Sequence, residues 1–288
     1  MSQFEQSGAI GTKLQVENHL KSKDAIFSAL KGKLVVSCQA SVGEPLCHKS
    51  HILALSLSAL NGGCGGLRLE GIENIKYVRE QVDKLYEGFV PIVGLTKADV
   101  PAQDRLSSAY ITASFVEAQH LAEAGADIIA LDATGRTRSD NLSLAETIAK
   151  IHAELGCLVW ADCATFSEGL NAAQAGADIV STTLFGYTAE TALPKDVGPG
   201  LELLKELVAH LKVPVILEGR VWRPEELTEA FELGAHAVVV GSAITRPQLI
   251  TERFVRAIPQ PLAMPVQFRP VDNYVQHLDE IASSRCGT

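Results

Sequence analysis

Two charged residues stand at the ends of apolar runs where chemistry could be done. PIVGLT leads into Lys97, and PVIL leads into Glu218, which Gly219 and Arg220 follow. A charge directly after a β-branched, apolar run marks the point where a buried strand leaves the core. A lysine and a carboxylate on opposite sides of a bound molecule can serve both faces of a planar intermediate. That pair suits inversion at a carbon next to a carbonyl, one group removing a proton and the other returning one to the opposite face. Lysine must lose its charge to act as the base, so burial or a nearby cation such as Arg68 must lower its pKa. The competing reading is a structural ion pair, or Lys97 held by a strand-end aspartate.

The other apolar runs end in the same way. In chain order they offer Gln39, Arg68, Asp132 with Thr134, Asp162, and Thr182 with Thr183. Any one of these could be a helix cap or a salt-bridge partner, but their recurrence on nearly every run points to a shared site. A second constellation consists of Gly219, Gly241, Ser242 and Arg246. Glycine amides beside a helix start, with one arginine for a charge-assisted contact, suit a phosphate group. A tight turn with an exposed arginine is the alternative.

The elements that must position these groups follow one grammar. AEAGADIIALDAT, AAQAGADIVSTTLF and FELGAHAVVVGSA each read as a helix end, a glycine at its C-terminal cap and an apolar strand. Near-continuous apolar strands, each followed by a helix, imply a parallel sheet covered by helices. About eight such units in about 250 residues predict an α/β fold, a (β/α)8 TIM barrel with short terminal extensions. Residues 1–30 read as an N-terminal extension whose weakly helical end, AIFSALKGK, could be a barrel-bottom helix, 31–258 as the barrel and 259–288 as a C-terminal tail. Strands are expected at 34–40, 65–71, 91–97, 127–134, 157–165, 178–186, 214–217 and 237–240, with AYIT (109–112) as a small additional strand. Ser167 is expected to cap the helix after the fifth strand. A doubly wound open sheet is the other candidate, but SCQASVG after the first strand is not its glycine fingerprint.

Composition removes other classes. The net charge of −9 argues against nucleic acid or an anionic membrane as the main partner. No apolar run reaches membrane-spanning length, and the first twenty residues lack the apolar centre of a secretory signal, so a cytoplasmic protein is expected. The six cysteines include no C-x-x-C pair, and no histidine ends a strand to activate Cys38 or Cys163 as a nucleophile. No metal site and no nicotinamide or flavin signature is apparent, so no cofactor is expected. A homodimer is the expected assembly, two-fold pairs being the commonest oligomers.

VSCQA, GLRLEGIENI, PIVGLTK, IIALDATGRTR, ADCATFSEGLNAAQAGADIVSTTLFGYT, VPVILEGRVWRPEEL and AVVVGSAITRP occur in collinear order across roughly residues 31–257. Together they resemble the bacterial N-acetylmannosamine-6-phosphate 2-epimerases. The resemblance implies a (β/α)8 isomerase that interconverts N-acetylmannosamine 6-phosphate and N-acetylglucosamine 6-phosphate in amino-sugar and sialic acid breakdown. It implies that Lys97 and Glu218 are catalytic, and that Gln39, Arg68, Asp162 and Arg220 bind the sugar; Asp132, at a strand end of the same mouth, is expected to bind it with them. It places the phosphate at Arg246 and its glycine-serine turn, Gly241 and Ser242, which the second constellation joins to Gly219. YITAS stands where that family commonly has YITPT. Two rival readings are a barrel that uses Lys97 as a Schiff-base nucleophile, as an aldolase does, and a catalytically silent sugar-phosphate sensor.

Overall fold

The computed structural model describes residues 21–41, 43–98, 107–194 and 197–259. Helix α1 (Lys23–Leu30) leads into strand β1 (Lys33–Cys38) and helix α2 (Lys49–Asn61). Strand β2 (Gly66–Glu70), α3 (Ile72–Leu85), β3 (Ile92–Leu95) and α4 (Phe115–Glu123) follow. Next come β4 (Ile128–Asp132), α5 (Leu144–Lys150), β5 (Leu158–Asp162), α6 (Phe166–Gln174) and β6 (Ile179–Ser181). The last elements are α7 (Leu201–His210), β7 (Val215–Glu218), α8 (Pro224–Glu232), β8 (Ala237–Val240), α9 (Ser242–Thr245) and α10 (Pro247–Arg256). The strands pair in parallel, each with its sequence neighbour, and β8 closes on β1. The fold is the (β/α)8 barrel, not the open sheet.

Two apolar cores explain why the strands read as continuous apolar runs. Val35, Val93, Leu95, Ile128, Trp160, Ile216 and Val239 fill the barrel. Val36, Leu67, Leu69, Ile129, Val159, Val180 and Val238 face the helices. Alternate residues along a strand point to opposite faces, and here both faces are dry. Gly94 has no side chain for a packing reason, since a Cβ there would lie 2.7 Å from the Cβ of Ala126.

Several boundaries differ from expectation. Helix α1 is the barrel-bottom alternative for the end of the N-terminal stretch, since its Ile26 and Leu30 are buried in the barrel core. The sixth strand is shorter than its apolar run, because Thr182–Phe185 turns at the barrel mouth. AYIT forms no strand; Ile111 makes a single antiparallel bridge to Lys97. The cap of α6 is Thr165, not Ser167, since Thr165 and Glu168 form a reciprocal capping box. Helix α5 ends in a π-helical turn, Ile151–Leu155, closed by Gly156 in the left-handed conformation. The expected tail beyond residue 259 and the segment 1–20 lie outside the described residues.

Candidate active site

Arg68 sits at the centre of β2, two residues before its end, and is 1% exposed. Burial of a guanidinium requires carboxylate partners. Its Nη2 donates to Asp162 Oδ2 at 2.7 Å. Its Nε lies 3.0 Å from Glu218 Oε1, an ion pair whose angle falls outside hydrogen bonding. The guanidinium carbon stands 5.6 Å from the ring centre of Trp160. Arg68 Nη1 is buried with no hydrogen-bond partner.

Glu218 ends β7, where two consecutive left-handed residues turn the chain: Gly219 at φ 99° and Arg220 at φ 62°. A Cβ at residue 219 would also press on the carbonyl oxygen of Thr183 at 3.3 Å, so the turn needs glycine twice over. Thr182 holds the main chain of Glu218 from both sides. Its hydroxyl donates to the Glu218 carbonyl at 3.0 Å and accepts the Glu218 N–H at 3.1 Å. Burial pushes the Glu218 carboxyl up to about 7, with Asp162 adding repulsion and Arg68 opposing the rise.

Lys97 follows β3, diametrically across the barrel from β7. Its Nζ donates to Gln39 Oε1 at 2.7 Å, and Gln39 Nε2 in turn donates to Ser37 Oγ at 2.8 Å. Desolvation lowers the lysine pKa, and the positive charges of Arg68 and Arg246 lower it further, against Glu70 and Glu218. By surface area Lys97 is exposed, although the protein around it already desolvates the ammonium in part. A bound molecule covering the mouth would complete the desolvation that the walls begin. The buried thiols take no part in this site. Cys38 is pushed up to about 12 and Cys163 well above the ordinary thiol range by burial.

Asp132, at the end of β4, lies beside Asp162 in register. Its Oδ1 accepts from the Thr134 hydroxyl at 2.6 Å and its Oδ2 from Arg136 Nη2 at 2.6 Å. The carboxylate is therefore held in the loop after β4. Arg220 is turned away from the gathered group. Its guanidinium donates to the carbonyls of Pro194, Val197, Gly186 and Leu193 and stacks 4.8 Å over Tyr187, which clamps the segment after β6. The left-handed backbone at residue 220 points it there. Arg246 follows α9, whose Thr245 hydroxyl donates to the Ser37 carbonyl at 2.8 Å and ties the helix to β1. Gly241 approaches the same strand closely, a Cβ there lying 3.2 Å from Ser37 Cβ. Ser242 opens α9. The Arg246 guanidinium is paired with Glu44 from the loop after β1.

Thr183 is one of the strand-end hydroxyls that the sequence offers, whereas Glu44, Ser181 and Trp160 carry no signal there that marks them as site residues. Among the described residues, no group of three or more His, Cys, Asp or Glu is placed to hold a metal ion.

Residues 52–260 match a family model described as "Putative N-acetylmannosamine-6-phosphate epimerase". A relative from Cutibacterium acnes bearing that name as a 2-epimerase is 43% identical over 237 residues, covering 82% of this chain and 97% of its own. Another of the same name from Clostridioides difficile is 44% identical, covering 81% of this chain and 99% of its own. A solved structure of the N-acetylmannosamine-6-phosphate 2-epimerase from Clostridium perfringens superposes with a TM-score of 0.74 at 39% identity, covering 81% of this chain and 96% of that one.

Proposed function

The chain belongs to the N-acetylmannosamine-6-phosphate epimerase family, and from that premise we propose that it interconverts N-acetylmannosamine 6-phosphate and N-acetylglucosamine 6-phosphate at C2. The reaction belongs to amino-sugar and sialic acid breakdown. The observation that carries the reading is the opposition of Lys97 and Glu218 on strands half a barrel apart, with buried Arg68 beside Glu218.

In the open-chain sugar the C2–H bond lies next to the C1 aldehyde. Neutral Lys97 takes that proton, and the electron pair moves onto the carbonyl oxygen to give an enolate. The unpartnered Nη1 of Arg68 is a donor suited to that oxygen. Protonated Glu218 then delivers its proton to the other face of C2. In the opposite direction ionised Glu218 takes the proton and charged Lys97 returns one. A carboxyl that titrates near 7 has both forms available at neutral pH. Gln39 orients the ammonium through its side-chain carbonyl, and Asp162 holds Arg68 in place. Asp132, in register with Asp162, is assigned a sugar contact, while Arg220 acts on the sugar through the loop that it clamps.

The 6-phosphate is assigned to Gly219, Gly241, Ser242 and Arg246. Arg246 would exchange its Glu44 partner for the phosphate. The catalytic unit is residues 31–258, with α1 sealing the bottom. A sugar phosphate does not cross a membrane unaided, which supports the cytoplasm, and among the described residues no helix is long and apolar enough to cross one. No residue of α10 is buried, and Phe254 is 73% exposed, which supports a homodimer that covers this helix.

Proton NMR with N-acetylmannosamine 6-phosphate in D2O tests the reaction. The gluco epimer carrying deuterium at C2 is expected. A folded sample that binds the sugar without epimer or exchange would overturn the assignment.

A further inference from the structure

The proton accounting around Glu218 is incomplete until two hydroxyls are included. Ser181 is fully buried in β6 and accepts the indole N–H of Trp160 at 2.9 Å. Its Oγ lies 2.6 Å from Thr183 Oγ1 and 3.0 Å from Asp162 Oδ1. Thr183 Oγ1 lies 2.7 Å from Asp162 Oδ1 and 3.1 Å from Glu218 Oε2. Each hydroxyl has one proton to give and can accept two. These contacts therefore cannot all be hydrogen bonds at once when both carboxylates are ionised.

One arrangement puts the two protons on the two shortest contacts. Ser181 donates to Thr183, and Thr183 donates to Asp162, whose Oδ2 is already held by Arg68. Thr183 then has one lone pair left, and among its described contacts Glu218 fills it when it carries its proton. When Glu218 is ionised, the hydroxyls turn. Thr183 donates to Glu218 Oε2 and Ser181 to Asp162 Oδ1. No proton is passed along this chain; only the O–H directions change.

We propose that Thr183 is a positioning residue that holds the Glu218 carboxyl in one place in both of its charge states, accepting from the protonated form and donating to the ionised one. The inference rests on the epimerase reading, which requires Glu218 to return a proton in one direction and remove one in the other. Neighbouring Thr182 supplies an internal control. It touches the main chain of Glu218 and not its carboxyl. The charged groups that also face Glu218 are Arg68 from β2, Lys97 after β3 and Asp162 from β5, and these stay unchanged in the test.

The test is kcat/KM against pH, from both epimers, for the wild type, Thr183→Val, Thr183→Ser and Thr182→Val. The productive enzyme carries one proton between Lys97 and Glu218. Thr183→Val removes the donor to ionised Glu218, so the acidic limb moves upward, by about one pH unit for a bond to a charged group. The two directions share one equilibrium constant, so the displacement is the same in both. Thr183→Ser restores the wild-type limb, and Thr182→Val lowers activity without moving it. An even loss across pH in Thr183→Val, with the limb in its wild-type place, overturns the proposal. A carbon-13 titration of the Glu218 carboxyl, identified by its loss in Glu218→Gln, reads the same displacement without turnover. An inactive wild type whose Glu218 signal still moves in Thr183→Val would sink the epimerase reading alone. If valine prevents folding, Thr183→Ala is titrated in its place.

Discussion

Both ends of the barrel bury carboxylates, but they satisfy them differently. At the bottom, Asp127 accepts the Ile92 N–H at 2.8 Å and pairs with Arg79. Asp178 accepts the Val159 N–H at 2.8 Å and pairs with Lys23 at 2.5 Å and His152 at 2.7 Å. Each of these groups pins a neighbouring strand start by a backbone amide. At the mouth, no backbone amide among the described residues donates to the Glu218 carboxylate. It shares Arg68 with Asp162 and a single hydroxyl with Asp162 as well. Fixed donors tie a carboxylate to the main chain and serve the fold. Shared, rotatable partners leave it free to change state and serve chemistry.

The sharpest way to break this contrast is at the pair itself. Lys97→Ala and Glu218→Ala should each reduce kcat by about 10²- to 10⁴-fold, the usual contribution of a general acid or base, with folding retained by circular dichroism. Substantial turnover in either variant would end the two-face scheme. At the other end, Asp178→Ala should cost about 3 kcal/mol of unfolding free energy in a denaturant titration, since it strips a buried carboxylate from its partners. Its kcat, per folded molecule, should match the wild type; a large kcat loss at unchanged stability would erase the distinction between the two ends.

Arg246→Ala should raise KM by roughly 10- to 100-fold with kcat little changed, as expected for a charge-assisted contact made equally in ground and transition states. Steady-state kinetics decides it, and an unchanged KM would move the phosphate elsewhere. The smallest effect is on stability against pH. The Glu218 carboxyl titrates higher in the fold than in the unfolded chain, so the folded state binds more protons, and stability falls as pH rises through about 7. Thermal midpoints of Glu218→Gln measured from pH 5 to 8 should lack that decline. Parallel wild-type and variant curves would show that Glu218 ionises without cost.

The fold was legible because its signals are local. A glycine after each helix and an apolar run for each strand require no knowledge of distant residues, and Gly125, Gly176 and Gly234 all take the positive φ that such caps need. Lys97 and Glu218 were legible for the same reason, as charges where apolar runs stop. Arg220 was read as part of the same cluster because sequence gives a position but not a side-chain direction. Its left-handed backbone sends the guanidinium to carbonyls 23 to 34 residues away.

By itself, then, the sequence determined the alternation of strands and helices, the parallel sheet that this alternation implies and which charged groups stand at strand ends. Hydrophobic periodicity and cap chemistry act over a few residues and need no tertiary partner. Only the tertiary structure decided which of those groups meet. Arg68 reaches Asp162 across 94 positions and Lys97 reaches Gln39 across 58. The titration of Glu218 was decided in the same way. A carboxyl's pKa depends on the desolvation and charges that packing assembles around it, and chain spacing does not encode either one.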